Sequence, residues 1–207
     1  GFEEYFNSFI KIIKNNKLPK TILFNGPKGL GKSTFAYHLI NFILSKDEDN
    51  KYSISNYSIN HENKSYINIC NNTHPNFFLV DKTYQDENIK IELSRNLLKF
   101  LSKSTYKDNL KLVLIDNAEL LNVNASNALL KAIEEPNINT FFFLISNNNK
   151  FISDTIRSRC VEFNFFLTFE KKIKVFNKLT NFYLNVNELN IDNKYFYETH
   201  GNILKYL

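Results

Sequence analysis

Gly26-Pro27-Lys28-Gly29-Leu30-Gly31-Lys32-Ser33-Thr34 satisfies G-x-x-x-x-G-K-[ST] at every fixed position. Residues of these types at this spacing make a cradle for phosphate. Glycines let the backbone fold tightly enough for successive N–H groups to point at phosphate oxygens. A helix starting at the end of the loop adds its partial positive charge. Lys32 would reach β- and γ-phosphates, and the Ser33 hydroxyl would ligate Mg²⁺. ATP with Mg²⁺ is therefore the expected ligand.

Such a loop needs a second acid to hold the metal. Lys111 to Ile115 is an apolar run ending in Asp116. The carboxyl ends of strands are where ligands bind in open α/β sheets, so Asp116 is expected to hold Mg²⁺ with Ser33, through water. Asn117 follows, then Ala118 and Glu119. An ATPase of this kind usually carries Glu directly after the Asp, to orient the attacking water. Asn117 can hydrogen-bond a water but cannot take its proton, and Glu119 stands two residues further on. These residues support nucleotide binding and leave hydrolysis by this chain open.

Arginine occurs only at Arg95, Arg157 and Arg159, while lysine carries the rest of the positive charge. An arginine kept against such a bias marks a place where a planar fork of donors is needed. The run Thr155-Ile-Arg-Ser-Arg-Cys160 holds two of the three. A basic surface turn and a structural salt bridge are the plain alternatives there.

The elements that must position these groups alternate in type. Residues 3–14 carry a helical stripe of Tyr5, Phe6, Phe9, Ile10 and Ile13. Short apolar runs predict strands at Lys20–Phe24, Phe77–Val80, Leu112–Ile115, Phe141–Ile145 and Val161–Phe165. Helical spacing spans Phe35–Leu44, Leu93–Leu101 and Val123–Ile133, and resumes from Thr168 through Leu179, with Tyr195–Tyr197 beyond. Residues 46–72 are polar and aperiodic and read as a long loop or insertion. The expected fold is α/β: a parallel sheet flanked by helices over residues 1–165, then a small all-α unit over 166–207.

Composition excludes several classes. The chain has 207 residues, with hydrophobics at 43% and Phe 20 and Tyr 11, too much apolar surface for disorder throughout. No run approaches the roughly 18 apolar residues of a membrane span, and no signal-peptide layout opens the chain. Cys 2 rules out a disulfide framework and points to a reducing, cytoplasmic setting. A net charge of +5 permits a nucleic-acid partner without demanding one. Gly at position 1, and a helical pattern without a stop signal at GNILKYL, suggest a chain cut short at one or both ends.

The sequence resembles bacterial clamp-loader subunits of the AAA+ class, most closely the delta-prime type. The residues that carry the likeness are Leu18-Pro19, Phe24 to Pro27, His74-Pro75 and Lys111 to Asp116. To these are added the box Asn127-Ala-Leu-Leu-Lys-Ala-Ile-Glu-Glu-Pro136 and Ser158-Arg159-Cys160. Their order and spacing fit over most of residues 1–165. The box followed by Ser-Arg-Cys is far more specific than the phosphate loop alone.

The resemblance implies a P-loop AAA+ domain followed by a helical lid. It implies that Arg159 acts as a finger into ATP bound on a neighbouring subunit, with Arg157 in a local structural role. It implies a γ-phosphate-sensing polar residue after the fourth strand, best filled by Asn147, with Ser146 as the alternative. It places Arg95 where similar proteins carry a basic residue facing the DNA backbone; a solvated helix face is the competing reading. The implied assembly is a hetero-oligomer of motor and wrench subunits that places the sliding clamp on primed DNA.

Departures from the family pattern matter as much. Many relatives carry a four-Cys zinc module between the phosphate-loop helix and the His-Pro strand. Here that region holds Cys70, with His61 and His74 nearby, and no zinc is expected. Cys160 is expected to be buried. The lid motif usually ends Gly-x-x-Arg, whereas Gly201 is followed by Leu204 at that place and then Lys205. The family's C-terminal collar helices have no counterpart in these residues. Asn117 and Leu204 both favour a delta-prime stator over a gamma/tau-type motor that hydrolyses ATP itself. A P-loop kinase of a small acceptor would need several arginines in its lid, which this sequence lacks.

Overall fold

The computed structural model describes residues 1–81, 91–103, 110–147, 152–184, 199 and 201. Five strands are found: β1 Thr21–Gly26, β2 Phe77–Val80, β3 Lys111–Ile115, β4 Thr140–Asn147 and β5 Val161–Asn164. The helices are α1 Glu3–Lys14, α2 Lys32–Leu44, α3 Lys64–Cys70, α4 Ile91–Ser102, α5 Val123–Glu134, α6 Asp154–Arg157 and α7 Phe169–Leu184. The strands form one sheet in the order β2-β3-β4-β1-β5, and every pairing is parallel. Tyr195–Tyr197, Leu204 and Lys205 lie outside the described residues.

Side chains on successive strand residues point to opposite faces, so each central strand feeds two cores. On one face Ile22 and Phe24, Leu112 and Leu114, and Phe143 and Ile145 pack with Phe6, Phe9, Phe35 and Leu39. On the other, Leu23, Val113, Ile115, Phe142 and Leu144 pack with Leu97, Leu129 and Ile133. Burial on both sides is why β3 and β4 read as unbroken apolar runs. The edge strand β5 is more exposed along its length. The first core is unusually aromatic. Phe165 meets Phe2, Tyr5, Phe24 and Phe35 edge-on at ring separations of 4.9–5.7 Å, the arrangement ring quadrupoles favour.

Local rules account for the helices. In α1, Glu3 and Glu4 stand in the first turn and Lys11 and Lys14 in the last, matching the helix dipole. In α5 the Asn122 side chain caps the N-terminus by accepting from the Ala125 N–H at 2.7 Å.

Residues 46–72 are not one long loop. They contain α3, a short antiparallel bridge between Ser53 and Ser58, and a network of buried polar side chains. Asn63 caps α3 by accepting from the Tyr66 N–H, and it exchanges amide hydrogen bonds with Asn41 of α2 at 3.1 and 3.2 Å. Ser45 accepts from the Tyr52 N–H at 3.1 Å, and Glu48 accepts from the Ser65 N–H and hydroxyl at 3.0 and 2.6 Å. An apolar period could not reveal this order, because the core contacts are scattered, Tyr52 and Ile69 being the buried apolar residues, and polar hydrogen bonds supply the rest. Asn63→Ala should therefore cost about 1–2 kcal/mol, through lost capping and an orphaned Asn41 amide. A urea midpoint matching the wild type would show that α3 does not depend on this cap.

Candidate nucleotide site

Parallel strands gather their carboxyl ends at one edge, and the register decides which residues meet there. Gly26 pairs with Asn147, Ile115 with Leu144, and Val80 with Ile115. Asp81 follows Val80, Asp116 follows Ile115, and Asn147 ends β4 instead of following it. Gly26, Asp81, Asp116 and Asn147 therefore emerge together. A Cβ on Gly26 would stand 2.7 Å from the Phe165 carbonyl oxygen, so the turn into the loop closes only with glycine.

Gly31 precedes α2 at φ 98°, a left-handed conformation that Gly adopts without strain. It starts the helix at Lys32, and the first N–H groups of α2 face the loop unpaired within the helix. Lys32 is 3% exposed. Its ammonium donates to the carbonyls of Gly26 at 2.8 Å and Pro27 at 2.6 Å, and to the Asn147 side-chain oxygen at 3.0 Å. Burial pushes its pKa down to about 8, with Glu119 and Asp116 opposing the fall.

Ser33 donates to Asp116 Oδ2 at 2.7 Å, and the Asn117 N–H donates to Asp116 Oδ1 at 2.9 Å. Burial lifts the Asp116 carboxyl above its usual range; the Ser33 hydrogen bond opposes the rise, and the nearby Asp81 carboxylate adds to it. A desolvated carboxylate beside a hydroxyl is a donor set suited to a hard cation. Among the described residues, no three His, Cys, Asp or Glu are arranged to hold a metal by themselves.

Two carboxylates that sequence spacing did not single out join the site. Asn117 sits at φ 57°, and the 3-10 turn Ala118–Leu120 follows it, swinging Glu119 back toward β4. Glu119 accepts from the Asn147 N–H at 3.2 Å and from its side-chain amide at 3.0 Å. Asn117 donates to Asp81 at 3.1 Å and accepts from the Asn147 amide at 2.9 Å. Asn147 is thus a hub joining Lys32, Asn117 and Glu119. Both ends of the Asn117 amide are engaged in holding this network. For Asp81 the available signal was its place directly after a strand, the same as that of Asp116; for Glu119 the sequence offered only its nearness to Asp116, two residues past the place where a glutamate was expected.

Beside the loop lies a cleft of about 400 Å³, lined by Phe2, Leu30, Thr34, Phe35, Leu167 and Val175. Its size and apolar walls suit a small planar ligand. One wall is tied to the loop, since Thr199 donates to the Lys28 carbonyl at 2.7 Å and the Gly201 N–H to the Gly29 carbonyl at 3.1 Å.

The arginines lie elsewhere. Val161 of β5 pairs with Ile22, near the start of β1, so Arg157 and Arg159 sit at the amino edge of the sheet. The phosphate loop leaves the opposite edge. Arg157 forms a fork with Glu162, at 2.9 and 3.0 Å, and Glu162 also accepts from Asn25 at 2.9 Å. That is the local role expected of Arg157. Arg159 is paired with Glu134. Arg95 is exposed on α4, which packs against α5 and β2.

Cys160 is half-buried, not fully buried, because its turn lies at the sheet's rim; its thiol donates to the Ile156 carbonyl, and burial raises its pKa to about 12. His61, His74 and Cys70 do not converge. His61 stacks on Tyr66, His74 accepts from the Asn76 N–H at 3.1 Å, and Cys70 is exposed.

The family described as DNA polymerase III, delta subunit, matches residues 1–168. The DNA polymerase III subunit delta' of Pseudomonas aeruginosa is 33% identical over 140 residues, covering 68% of this chain and 41% of that protein. Its namesake in Bacillus subtilis is 32% identical over 152 residues, covering 72% and 42%. The chain thus spans about two fifths of the length of these curated relatives. Among solved structures, a DNA polymerase III gamma subunit-related protein of Thermotoga maritima shares the fold. Its TM-score is 0.56 at 17% identity, covering 94% of this chain and 57% of that one. With a family match over residues 1–168 and delta' relatives at 33% and 32% identity, the chain belongs to the DNA polymerase III delta-subunit family, as a member of the delta-prime type.

Proposed function

We propose that this chain is the nucleotide-binding core of a delta-prime stator in a clamp loader, and that it completes the ATP site of a neighbouring motor subunit. The observation that carries the reading is the separation of Arg159 from the chain's own phosphate loop: they occupy opposite edges of one parallel sheet. A guanidinium so placed serves phosphate on another subunit, where a fixed positive charge stabilises the transferring phosphoryl group. The protein would work in the cytoplasm within a hetero-oligomer of motor and wrench subunits, loading the sliding clamp onto primed DNA. Arg95 would meet the DNA backbone from α4. Residues 166–207 would form the lid, beginning with α7.

The chain's own site is read as one that holds nucleotide. The loop N–H groups of residues 26–34 and Lys32 would take the phosphates, and Asn147 would report the γ-phosphate to Glu119 and Asn117. Ser33 and Asp116 would hold Mg²⁺, which when bound neutralises phosphate charge. Asn117 spends its amide on Asp81 and Asn147, which argues against a role in activating water. Glu119, brought beside Asn147, keeps a gamma/tau-type motor reading alive as the alternative. Measured ATP turnover separates them. The protein alone is expected to be silent, and to support DNA-stimulated turnover once mixed with gamma-type subunits. Steady turnover by the protein alone would make it a motor.

A further inference from the structure

The geometry points to Glu134 as the positioning residue for Arg159, an inference that rests on the in-trans reading of Arg159 above. A guanidinium has five N–H donors in a rigid plane. In Arg159, Nε is taken by the Glu134 carboxylate. Nη1 donates to the Thr155 carbonyl at 2.6 Å and to the Ser158 hydroxyl at 3.2 Å. Nη2 has no partner among the described residues, and the side chain is 36% exposed. Three acceptors from two elements therefore fix the plane of the fork and leave Nη2 without a partner among the described residues.

The position of Glu134 suits the task. It is the last residue of α5, so its carboxylate and the negative end of the helix dipole lie together beneath a cation. The start of β1 is tied to the same helix end, because Thr21 donates to the Ile133 carbonyl at 3.4 Å. Arg159 is thereby referenced to the rigid sheet as well as to its own turn. A long, otherwise mobile side chain is held ready for charge that develops on another subunit, and such preorganisation is what makes a fixed cation effective. The pair is half-exposed, and exposed ion pairs contribute little to folding, so its use is read in activity and not in stability.

The test uses the protein assembled with gamma-type motor subunits and measures DNA-stimulated ATP hydrolysis. Glu134→Ala should lower the single-turnover rate at the site this chain completes about tenfold with KM for ATP unchanged, less than the loss from Arg159→Ala, because the finger is present but misplaced. Glu135→Ala, an equal change of charge one residue away, should match wild type. In an Arg159→Ala background, Glu134→Ala should have no further effect. Thermal melting should be the same for all variants, which separates positioning from unfolding. If Arg159→Ala is severe and Glu134→Ala matches wild type, the positioning role is wrong while the in-trans reading stands. A rise in rate with Glu134→Ala would also overturn it, since the carboxylate would then be restraining the finger. If Arg159→Ala is itself silent, the reading beneath both has failed.

Discussion

Arg159→Ala is expected to lower DNA-stimulated ATP hydrolysis by the assembled clamp loader about 10³-fold at each site this chain completes. The expectation follows from chemistry at a distance. Charge accumulates on the equatorial oxygens of a phosphoryl group in transfer, and a guanidinium already oriented toward it lowers the barrier without reorganisation. Within this chain Arg159 is already held by Glu134, Thr155 and Ser158. The loss should appear in kcat, because a contact made only in the transition state leaves KM nearly unchanged. Motor subunits that complete one another's sites keep their activity, so single-turnover measurements, which resolve a slow site from fast ones, give the clearest reading. Unchanged kinetics at every site would remove Arg159 from catalysis.

Lys32→Ala is expected to weaken nucleotide binding by this chain about 100-fold, from the loss of charged hydrogen bonds worth roughly 1.5–3 kcal/mol each. Titration with a fluorescent ATP analogue reads it directly. In the structure the ammonium uses its three protons on Gly26, Pro27 and Asn147, so phosphate must displace at least one of them. Asn147 is the partner whose release would carry the news to Glu119 and Asn117.

The depressed pKa adds a test in pH. Above about 8 the lysine loses its proton in the folded chain, while the unfolded chain keeps it up to about 10.5. Affinity for nucleotide should then fall as pH rises through 8. Stability should change with the opposite sign: the unfolded state binds more protons between 8 and 10.5, so this residue makes the fold more stable with pH across that window. Both trends should vanish in Lys32→Ala. Wild-type protein with no saturable binding, or a variant with unchanged affinity, would strike the phosphate loop from the working parts.

Much of this architecture is legible in one dimension because the physics that sets it is local. Strands buried on both faces must be apolar throughout, and the central strands were marked by such runs, while the exposed edge strand β5 alternates apolar and polar residues. Helices packed on one side must repeat near every 3.6 residues, and the stripe in residues 3–14 matched α1 at both ends. The phosphate loop was legible because a tight turn into a helix requires glycine at fixed places. The acid Asp116 followed from its position at a strand end.

Tertiary structure alone decided what those residues touch. Strand order β2-β3-β4-β1-β5 puts Asn147 between the loop and the two aspartates, and no spacing along the chain encodes a neighbour two strands away. A left-handed Asn117 returns Glu119 to the site from a position that looked too far along the chain. Helix α3 was hidden because it buries a single apolar side chain, Ile69, and is otherwise anchored by amide hydrogen bonds between its cap Asn63 and Asn41 of α2. Parallel pairing of β5 with β1 carries both Arg157 and Arg159 to the edge away from the chain's own phosphate loop, and their separate partners, Glu162 and Glu134, come from different elements. Sequence by itself determined the parts and their chemistry, since local backbone demands and burial dictate residue type. Which parts meet was decided only when sheet register and helix-end geometry brought distant residues together.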